Sequence, residues 1–291
     1  MVTIVITTKD RAHLLAERSL TSALHQTYKD YEVIVIDDAG KDNTEEIVRG
    51  FSQAYKNLRY FKLPINKGLS FARNYGISQA KGEYVVCLDD DNELMPEFLE
   101  QTLEVIGEYD AVAVGRTVKY KDFKDYVVPN LGGVSSIDWG WLIKKSVFDV
   151  IKYDEDMRAN EDTDFGIQFF KRFKAVQLDL PLTVAYDELG DPRNSLSFPT
   201  KRELNGMEYF FQKNIHEYDG RKEKWHVYKL MGRKFYRGGY HLKGIRYFFQ
   251  GFLVYKSLRA FLHLFFILFG WGIYDIYMTL EEKAAAKIRQ L

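Results

Sequence analysis

The chain has 291 residues, of which 46% are hydrophobic, 28% charged and 15% aromatic, a composition that excludes a disordered or collagen-like chain. Its one cysteine, Cys87, excludes an internal disulfide framework and a zinc ribbon and suits a reducing, cytosolic setting. The net charge of zero conceals an asymmetry along the chain. Residues 1–220 carry 27 basic and 37 acidic side chains, whereas residues 221–291 carry 14 basic and 4 acidic ones. This difference indicates two parts with different roles.

The first part of the chain alternates strand and helix patterns. Continuous apolar runs predict four strands, at 2–7, 31–37, 58–63 and 84–88. A helical pattern follows each strand, at 12–25, 43–55, 69–79 and 96–106. Continuous apolar strands have both faces covered, and strand–helix alternation predicts an α/β fold with a doubly wound, mostly parallel sheet flanked by helices.

The pattern is looser after residue 110. Three further strands are expected, at 111–115, 176–180 and 183–186, the last two on either side of Pro181. A short helix is expected over 162–173, and the chain reads as helical from Lys201 onward. We therefore divide the chain into a domain over 1–200, with a regular first half over about 1–110 and a looser second half over 111–200, and a helical extension over 201–291.

Acidic residues gather at two strand ends, as Asp37-Asp38 and as Asp89-Asp90-Asp91. In doubly wound sheets ligands bind beyond the carboxyl ends of the strands. Adjacent carboxylates repel one another unless a cation is present, and their oxygens suit Mg²⁺ or Mn²⁺ together with substrate phosphates. The triplet therefore predicts a metal-bridged diphosphate. The alternative is a solvated acidic turn before the helix at 96–106.

Four motifs follow one another at the expected strand ends: T-T-K-D-R from Thr7, V-I-D-D-A-G-K-D from Val35, N-K-G-L-S-F-A-R-N from Asn66 and G-E-Y-V-V-C-L-D-D-D-N from Gly82. Together they resemble the family-2 glycosyltransferases of the GT-A fold. The resemblance covers about residues 1–200 and implies an enzyme that uses a nucleotide-sugar donor. It also implies that about residues 1–110 form the nucleotide-sugar-binding half and residues 111–200 the acceptor-binding half.

The resemblance also implies roles for single residues. Asp38 matches the acid that reads the nucleotide base, typically uracil, and Asp91 with Asp89 matches the acids that hold a Mn²⁺ or Mg²⁺ ion on the diphosphate. Arg73 matches a basic residue near the donor, where a guanidinium can pair with phosphate; the alternative is a surface salt bridge. The donor-binding residues so implied are Thr7, Thr8, Asp10, Asp38, Arg73, Asp89 and Asp90.

The chain departs from the usual family pattern at three places. Lys9 stands where an aromatic residue is usual, Asp10 where asparagine is usual, and Ala39-Gly40 where glycine and serine are usual. These positions bear on which nucleotide base the protein binds. A UDP-sugar is the favoured donor, and because of these departures guanosine and thymidine donors stay open.

A second constellation, A-N-E-D-T-D-F-G from Ala159, resembles the acceptor-side E-D-x-D signature of the family. Inverting transfer needs a base to take the proton of the acceptor hydroxyl. We assign this role to Asp162, with Glu161 second, and expect Asp164 to be an acid at a helix start. The alternative for the whole cluster is capping of that helix.

Two further sets of residues extend the acceptor side. Trp139 and Trp141 match a stretch that lines the sugar and acceptor pocket, with plain core packing as the alternative. The family sometimes adds a histidine before an x-S-x-S stretch, but the stretch at 194–197 has no histidine before it. Asp187 and Asp191 are the nearest substitutes as a further metal ligand.

The extension is basic and aromatic. Residues 221–259 carry eleven basic side chains and one acid, and residues 260–274 carry no Asp, Glu, Lys or Arg. As one helix the second stretch would be about 22 Å long, shorter than the about 30 Å hydrocarbon core of a bilayer. Residues 221–291 are therefore expected to contact a membrane peripherally, beside anionic headgroups. The alternatives are packing on protein, including a second subunit, and nucleic-acid binding, which is disfavoured.

Taken together, the sequence predicts a metal-dependent, inverting glycosyltransferase that acts on a glycan or lipid-linked acceptor, in the cytoplasm or at the cytoplasmic face of a membrane. A non-catalytic nucleotide-sugar-binding or scaffold protein of the same fold stays as the alternative. The chain lacks the G-x-G-x-R start of a sugar-nucleotide pyrophosphorylase, the G-x-G-x-x-G of a dinucleotide-binding fold and a Walker loop. It is also about twice the length of a receiver domain, whose acid pair would follow the first strand.

Overall fold

A computed structural model describes residues 1–120, 126–128, 139–187, 201–218, 220–270, 272–274 and 276–277. The chain forms two compact units, Met1–Ser195 and Leu196–Leu291. The first contains a mixed sheet with helices, and the second is helical. Of the sequence expectations, the stretch at 194–197 and Asp191 lie outside the described residues.

The sheet of the first unit has the strand order β3-β2-β1-β4-β8-β6-β9-β5, with β7 paired to β6. Its strands are β1 Val2–Thr8, β2 Tyr31–Asp37, β3 Leu58–Lys62, β4 Tyr84–Asp89, β5 Glu93–Leu94, β6 Ala111–Tyr120, β7 Tyr126–Val128, β8 Leu142–Lys144 and β9 Ala175–Asp187. The long ladders β1–β2, β1–β4, β2–β3 and β6–β9 are parallel, and the short ladders are antiparallel. The predicted mostly parallel α/β sheet is confirmed.

The helices of the first unit lie where their sequence patterns predict them, except for the short helix Val147–Val150, which those patterns do not predict. They are α1 Ala12–Leu14, α2 Thr21–Leu24, α3 Thr44–Ala54, α4 Leu69–Gln79, α5 Phe98–Ile106, α6 Val147–Val150 and α7 Glu161–Phe170. A π-helical turn, Leu15–Leu20, joins α1 to α2, so the segment predicted as one helix is continuous but widened in its middle. Helix α4 packs closely on β1 because Gly76 has no Cβ to meet Val5.

The edge of the sheet differs from the prediction at Pro181. The two short strands expected on either side of this proline form one strand, β9, and β6 continues to Tyr120 rather than ending at Gly115. The β6–β9 register shifts on both sides of Gly115, which faces Pro181. Proline has no N–H group to donate to the ladder. The irregularity at Gly115 accommodates this missing hydrogen bond, so the strand continues past the proline.

The central strands are buried on both faces. Alternate residues of β1 and β2 enter two separate apolar clusters, Ile4 and Val33 in one and Val5 and Ile34 in the other. Cys87 of β4 belongs to the second cluster, and burial raises the pKa of its thiol to about 11. Cys87 is therefore a thiol of the apolar core.

Cys87 is accordingly expected to resist thiol reagents in the native protein. With a pKa of about 11 instead of 9.0, the thiolate at pH 8 is about a hundredfold scarcer than in the unfolded chain. Labelling should therefore be at least a hundredfold slower than in concentrated urea, which is the control. Because the chain has one cysteine, labelling of the native protein as fast as in urea would contradict the prediction directly.

The second unit consists of α8 Lys201–Asn214, a short 3₁₀ turn Ile215–Glu217, α9 Arg221–Arg237, α10 His241–Tyr255 and α11 Leu258–Leu268. Gly232, Gly244 and Gly251 let α9 and α10 approach closely, because a Cβ on any of them would meet the other helix. The uninterrupted helix expected over 260–274 is wrong: α11 ends at Leu268, before Gly270 with φ +103°. Among the described helices, none has the length and apolar character to cross a bilayer.

Candidate active site

The carboxyl ends of β1, β2 and β4 lie side by side in the sheet. Register pairs Thr8 with Asp37 and Thr7 with Asp89, so the ends of three predicted motifs come to one edge. Both threonines are buried, as are Asp38 and Asp90. Several carboxylates therefore lie close together at this edge of the sheet. Each of them has hydrogen-bond or ion-pair partners, which are described next.

Asp90 and Asp91 are neutralised from one side by Arg11. Its guanidinium donates to Oδ1 of Asp90 and to Oδ2 of Asp91, both at 2.8 Å, and Thr8 Oγ1 donates to Oδ2 of Asp90 at 2.7 Å. Burial is the main cause that raises the pKa of Asp90 to about 6; the Thr8 hydrogen bond and the Arg11 charge oppose it. Sequence reasoning did not select Arg11, although the residue closes the first motif.

Asp37 and Asp38 shape the loops beyond β2. The fully buried carboxylate of Asp37 accepts from Gly40 N at 2.6 Å and from the hydroxyl of Tyr60 at 2.7 Å. The two oxygens of Asp38 accept from the backbone N–H groups of Lys67 and Gly68 at 2.7 and 2.8 Å. Asp38 therefore ties the N-K-G segment to the strand end, while its reading of a base stays a prediction.

Asp10 connects the loops after β1 and β2. It has a left-handed backbone, with φ 55°, and its Oδ1 accepts from Lys41 N at 2.5 Å. Ala39 in the facing loop is also left-handed, with φ 60°. Asparagine and aspartate tolerate this conformation better than most residues, which explains an Asx residue at position 10.

Arg73 joins the two constellations that the sequence presents separately. From α4 its guanidinium donates to Oδ1 of Asp89 at 2.8 Å and to Oε1 of Glu161 at 3.0 Å, and it lies 5.3 Å from the ring centroid of Tyr153. Only 4% of the Arg73 side chain is exposed, against 29% for Asp89 and 15% for Glu161. The alternative of a surface salt bridge is wrong, because this guanidinium is buried between Asp89 and Glu161.

The acids at the start of α7 differ in their surroundings. Asn160 precedes the helix in a left-handed conformation, and Glu161 is the partner of Arg73. Asp162 is partly buried, and its Oδ1 accepts from Thr163 N at 2.6 Å. Asp164 is fully buried and accepts from Gln168 at 2.9 Å, which fits the expected structural acid at a helix start. Glu161 is thus part of the Arg73 bridge, and Asp162 is the next residue in the sequence.

Trp139 and Trp141 are both buried, with 7% and 8% of their surface exposed. The Arg116 guanidinium lies 4.3 Å from the Trp139 ring centroid, and Trp141 contacts Phe170 edge to face. The two indoles belong to different apolar clusters. This burial favours the core-packing alternative, and their contact with an acceptor stays a prediction.

Within the described residues, no three His, Cys, Asp or Glu side chains come together as a metal site. A divalent ion at this edge would therefore take oxygen ligands from its substrate as well as from the protein. Asp187, considered as a further ligand, is the last residue of β9.

Three comparisons connect this geometry with known proteins. The model of glycosyl transferase family 2 matches residues 3–171. Over 215 residues the chain is 32% identical to the poly(ribitol-phosphate) β-N-acetylglucosaminyltransferase TarP of Staphylococcus aureus, covering 66% of this chain and 64% of that protein. Against three other relatives it spans little more than half of their length, 56, 54 and 57%.

Two solved structures are similar in fold. TarS residues 1–349 of S. aureus, in complex with UDP-GlcNAc, superpose with a TM-score of 0.64 at 18% identity, over 98% of this chain and 92% of that one. The mannosyltransferase PcManGT of Pyrobaculum calidifontis, in complex with GDP-Man and Mn²⁺, gives 0.58 at 16% identity over 97% and 84%. At these identities the likeness shows the fold alone, and it confirms the predicted GT-A architecture.

Proposed function

The chain belongs to glycosyl transferase family 2, and on this premise we propose that it moves a sugar from a nucleotide-diphosphate donor to an acceptor hydroxyl with inversion. The observation that carries the proposal is the buried Arg73 bridge, which joins Asp89 at the end of β4 to Glu161, the neighbour of Asp162 in the sequence. Donor-binding and proton-accepting groups at one place are what a direct displacement at the anomeric carbon requires.

The proposed donor is a UDP-sugar, and a GDP-sugar is the second candidate. TarS binds UDP-GlcNAc, whereas PcManGT binds GDP-Man, so relatives of this fold use both bases. In this chain Asp38 would accept from the base, and Thr7, Thr8 and Asp10 would line the nucleotide side. The Asp38 carboxylate is held in place by two backbone amides, so it needs little reorganisation when a base arrives.

The residues fit a divalent ion held on the donor diphosphate by Asp91 and Asp89. Each of these carboxylates keeps about 30% of its surface exposed, and an arginine contacts one oxygen of each. Two carboxylates completed by phosphate oxygens suit Mn²⁺ or Mg²⁺. When bound, the ion would supply charge stabilisation to the leaving diphosphate.

The chain's own groups have separate tasks in this proposal. Asp162 takes the proton of the acceptor hydroxyl, and Glu161 is held by Arg73 and positions the guanidinium. Arg11 and Arg73 balance the carboxylates at the end of β4, and Asp90 holds Arg11 beside Asp91. A buried arginine between two acids keeps the site ordered before substrate binds.

The acceptor proposed here is a glycan polymer or a lipid-linked glycan at the cytoplasmic face of a membrane. TarP is named for a polymer acceptor, poly(ribitol phosphate). We assign glycosyl transfer to residues 1–200, with 111–200 on the acceptor side, and membrane contact to the basic extension at 221–291. Assembly into a homo-oligomer is compatible with this assignment.

The donor class and the metal are tested together by thermal unfolding of the full chain with UDP, GDP, dTDP or CMP, each with and without Mn²⁺. A ligand at a hundred times its dissociation constant adds about 2.7 kcal/mol of stability, which corresponds to a rise of about 5–10 °C. We expect UDP with Mn²⁺ to give the largest rise, and Asp91→Asn to remove the part that depends on Mn²⁺.

Asp149→Asn is the matched control, because Asp149 is an exposed acid on α6 away from the strand ends. A full Mn²⁺-dependent rise in Asp91→Asn would contradict the metal assignment. Release of nucleoside diphosphate from the matching sugar nucleotide, with an acceptor polymer present, tests the transfer itself. Nucleotide binding without any turnover would instead support the non-catalytic alternative.

A further inference from the structure

Helix α11 is apolar on the side that packs and on the side that faces solvent. Ala260, His263 and Ile267 are buried on its inner side, in a cluster with Trp225 and Phe248. Its outer side presents five exposed apolar side chains, which we call the apolar face: Leu258, Phe261, Phe265, Leu268 and Phe269. Their exposed fractions run from 41% to 74%. A solvated helix normally has polar residues on such a side.

The apolar face forms a continuous row. Ring centroids are 6.0 Å apart between Phe261 and Phe265 and 4.9 Å apart between Phe265 and Phe269. Phe252 continues the row onto α10, at 6.1 Å from Phe261. Clustered exposed apolar residues mark a surface that contacts another apolar phase or protein, whereas single exposed ones need no explanation.

Two basic residues flank Leu258, the first member of the apolar face, in the sequence. Lys256 precedes α11 by two residues, Arg259 is its second residue, and both are exposed. Residues 221–259 carry eleven basic side chains and one acid. Two copies that met through this face would bring like charges together, whereas an anionic lipid surface would attract them. The charge therefore favours a membrane over a second copy.

The length of α11 sets how it can bind. Its 11 residues correspond to about 16 Å, roughly half of a hydrocarbon core of about 30 Å. Lying along the interface, the same helix can bury its apolar face to the depth of the headgroup boundary while its basic neighbours stay at the headgroups.

We propose that the apolar face is the surface by which the protein docks on anionic membranes, with Phe261, Phe265, Leu268 and Phe269 inserted and Lys256 and Arg259 at the headgroups. This proposal names the surface that makes the membrane contact assigned above to residues 221–291, and it rests on that proposed function. Binding to vesicles and binding to nucleotide are measured separately, so that either can fail alone.

The test is co-sedimentation of the full chain with vesicles of phosphatidylcholine, alone or with about 30% phosphatidylglycerol, at low and at physiological salt. We expect binding to the anionic vesicles that weakens with salt. Leu268→Glu should weaken it at least tenfold. Lys256→Gln and Arg259→Gln should each weaken it about fivefold, which corresponds to about 1 kcal/mol per basic residue.

Val150→Glu is the matched control, since Val150 of the first unit is 62% exposed and Leu268 is 59% exposed. This control should bind vesicles like the original chain, and both variants should keep the UDP-induced rise in melting temperature. Equal vesicle binding by Leu268→Glu and the original chain would overturn the proposal. So would a dimer in analytical ultracentrifugation that Leu268→Glu dissociates while vesicles are not bound, because the face would then belong to a second copy.

Discussion

Replacing Arg73 with methionine is expected to lower the free energy of unfolding by about 3 kcal/mol, because Asp89 and Glu161 lose the buried guanidinium that neutralises both. Methionine keeps much of the packing on Tyr153. The loss of unfolding free energy therefore reflects the missing positive charge rather than a change in side-chain volume. The measurement is urea unfolding at neutral pH, followed by tryptophan emission. Combining Arg73→Met with Glu161→Gln should restore part of the loss, since one uncompensated carboxylate disappears.

Arg49→Met is the control for this experiment. Arg49 pairs with Glu45 one turn away on α3, but 76% of its side chain is exposed, and such pairs contribute less than about 1 kcal/mol. If Arg73→Met were no more destabilising than Arg49→Met, the bridge would have no structural importance. If the double variant were as unstable as the sum of the single ones, Arg73 and Glu161 would not be coupled.

Asp162→Asn is expected to lower turnover about 10²- to 10⁴-fold while leaving nucleotide binding unchanged. The amide keeps the size of the side chain and can still accept from Thr163, but it cannot take the acceptor proton. Both kcat and kcat/KM should fall by similar factors, since the missing interaction is made in the transition state. Steady-state release of nucleoside diphosphate with saturating acceptor is the measurement.

Glu161→Gln separates the two acids of the motif. It should lower stability as well as turnover, because Glu161 is a partner of Arg73, whereas Asp162→Asn should keep the melting temperature. Asp149→Asn serves again as the neutral control. Full turnover in Asp162→Asn would show that Asp162 is not the base. If Glu161→Gln kept full turnover while Asp162→Asn lost it, the role of base would remain with Asp162.

Residues 1–110 could be predicted closely from the sequence, because their local patterns and the global fold agree. β2 and α4 have the same bounds in the prediction and in the structure; Asp30 and Asp38 flank β2, and Gly68 precedes α4. The acids at the carboxyl ends of β2 and β4 could also be placed, since parallel strands end at one edge.

The tertiary partners of those acids could not be predicted. Arg73 lies 88 residues from Glu161, and no local pattern indicates that its guanidinium is buried between two motifs. Arg11 lies within a motif, but its contacts with Asp90 and Asp91 depend on the loop after β1. Pro181 suggested a strand break, whereas an irregularity at Gly115 on the neighbouring strand accommodates the proline.

The Arg73 bridge has a consequence for how the two halves of the first unit can diverge. Arg73 and Asp89 lie within residues 1–110 and Glu161 lies within residues 111–200, so each half carries a charge that the other compensates. A chimera that takes residues 139–171 from a relative without an acid at position 161 would bury a cation with only one counter-ion. The segment that carries Glu161 therefore cannot be exchanged independently of the segment that carries Arg73 and Asp89.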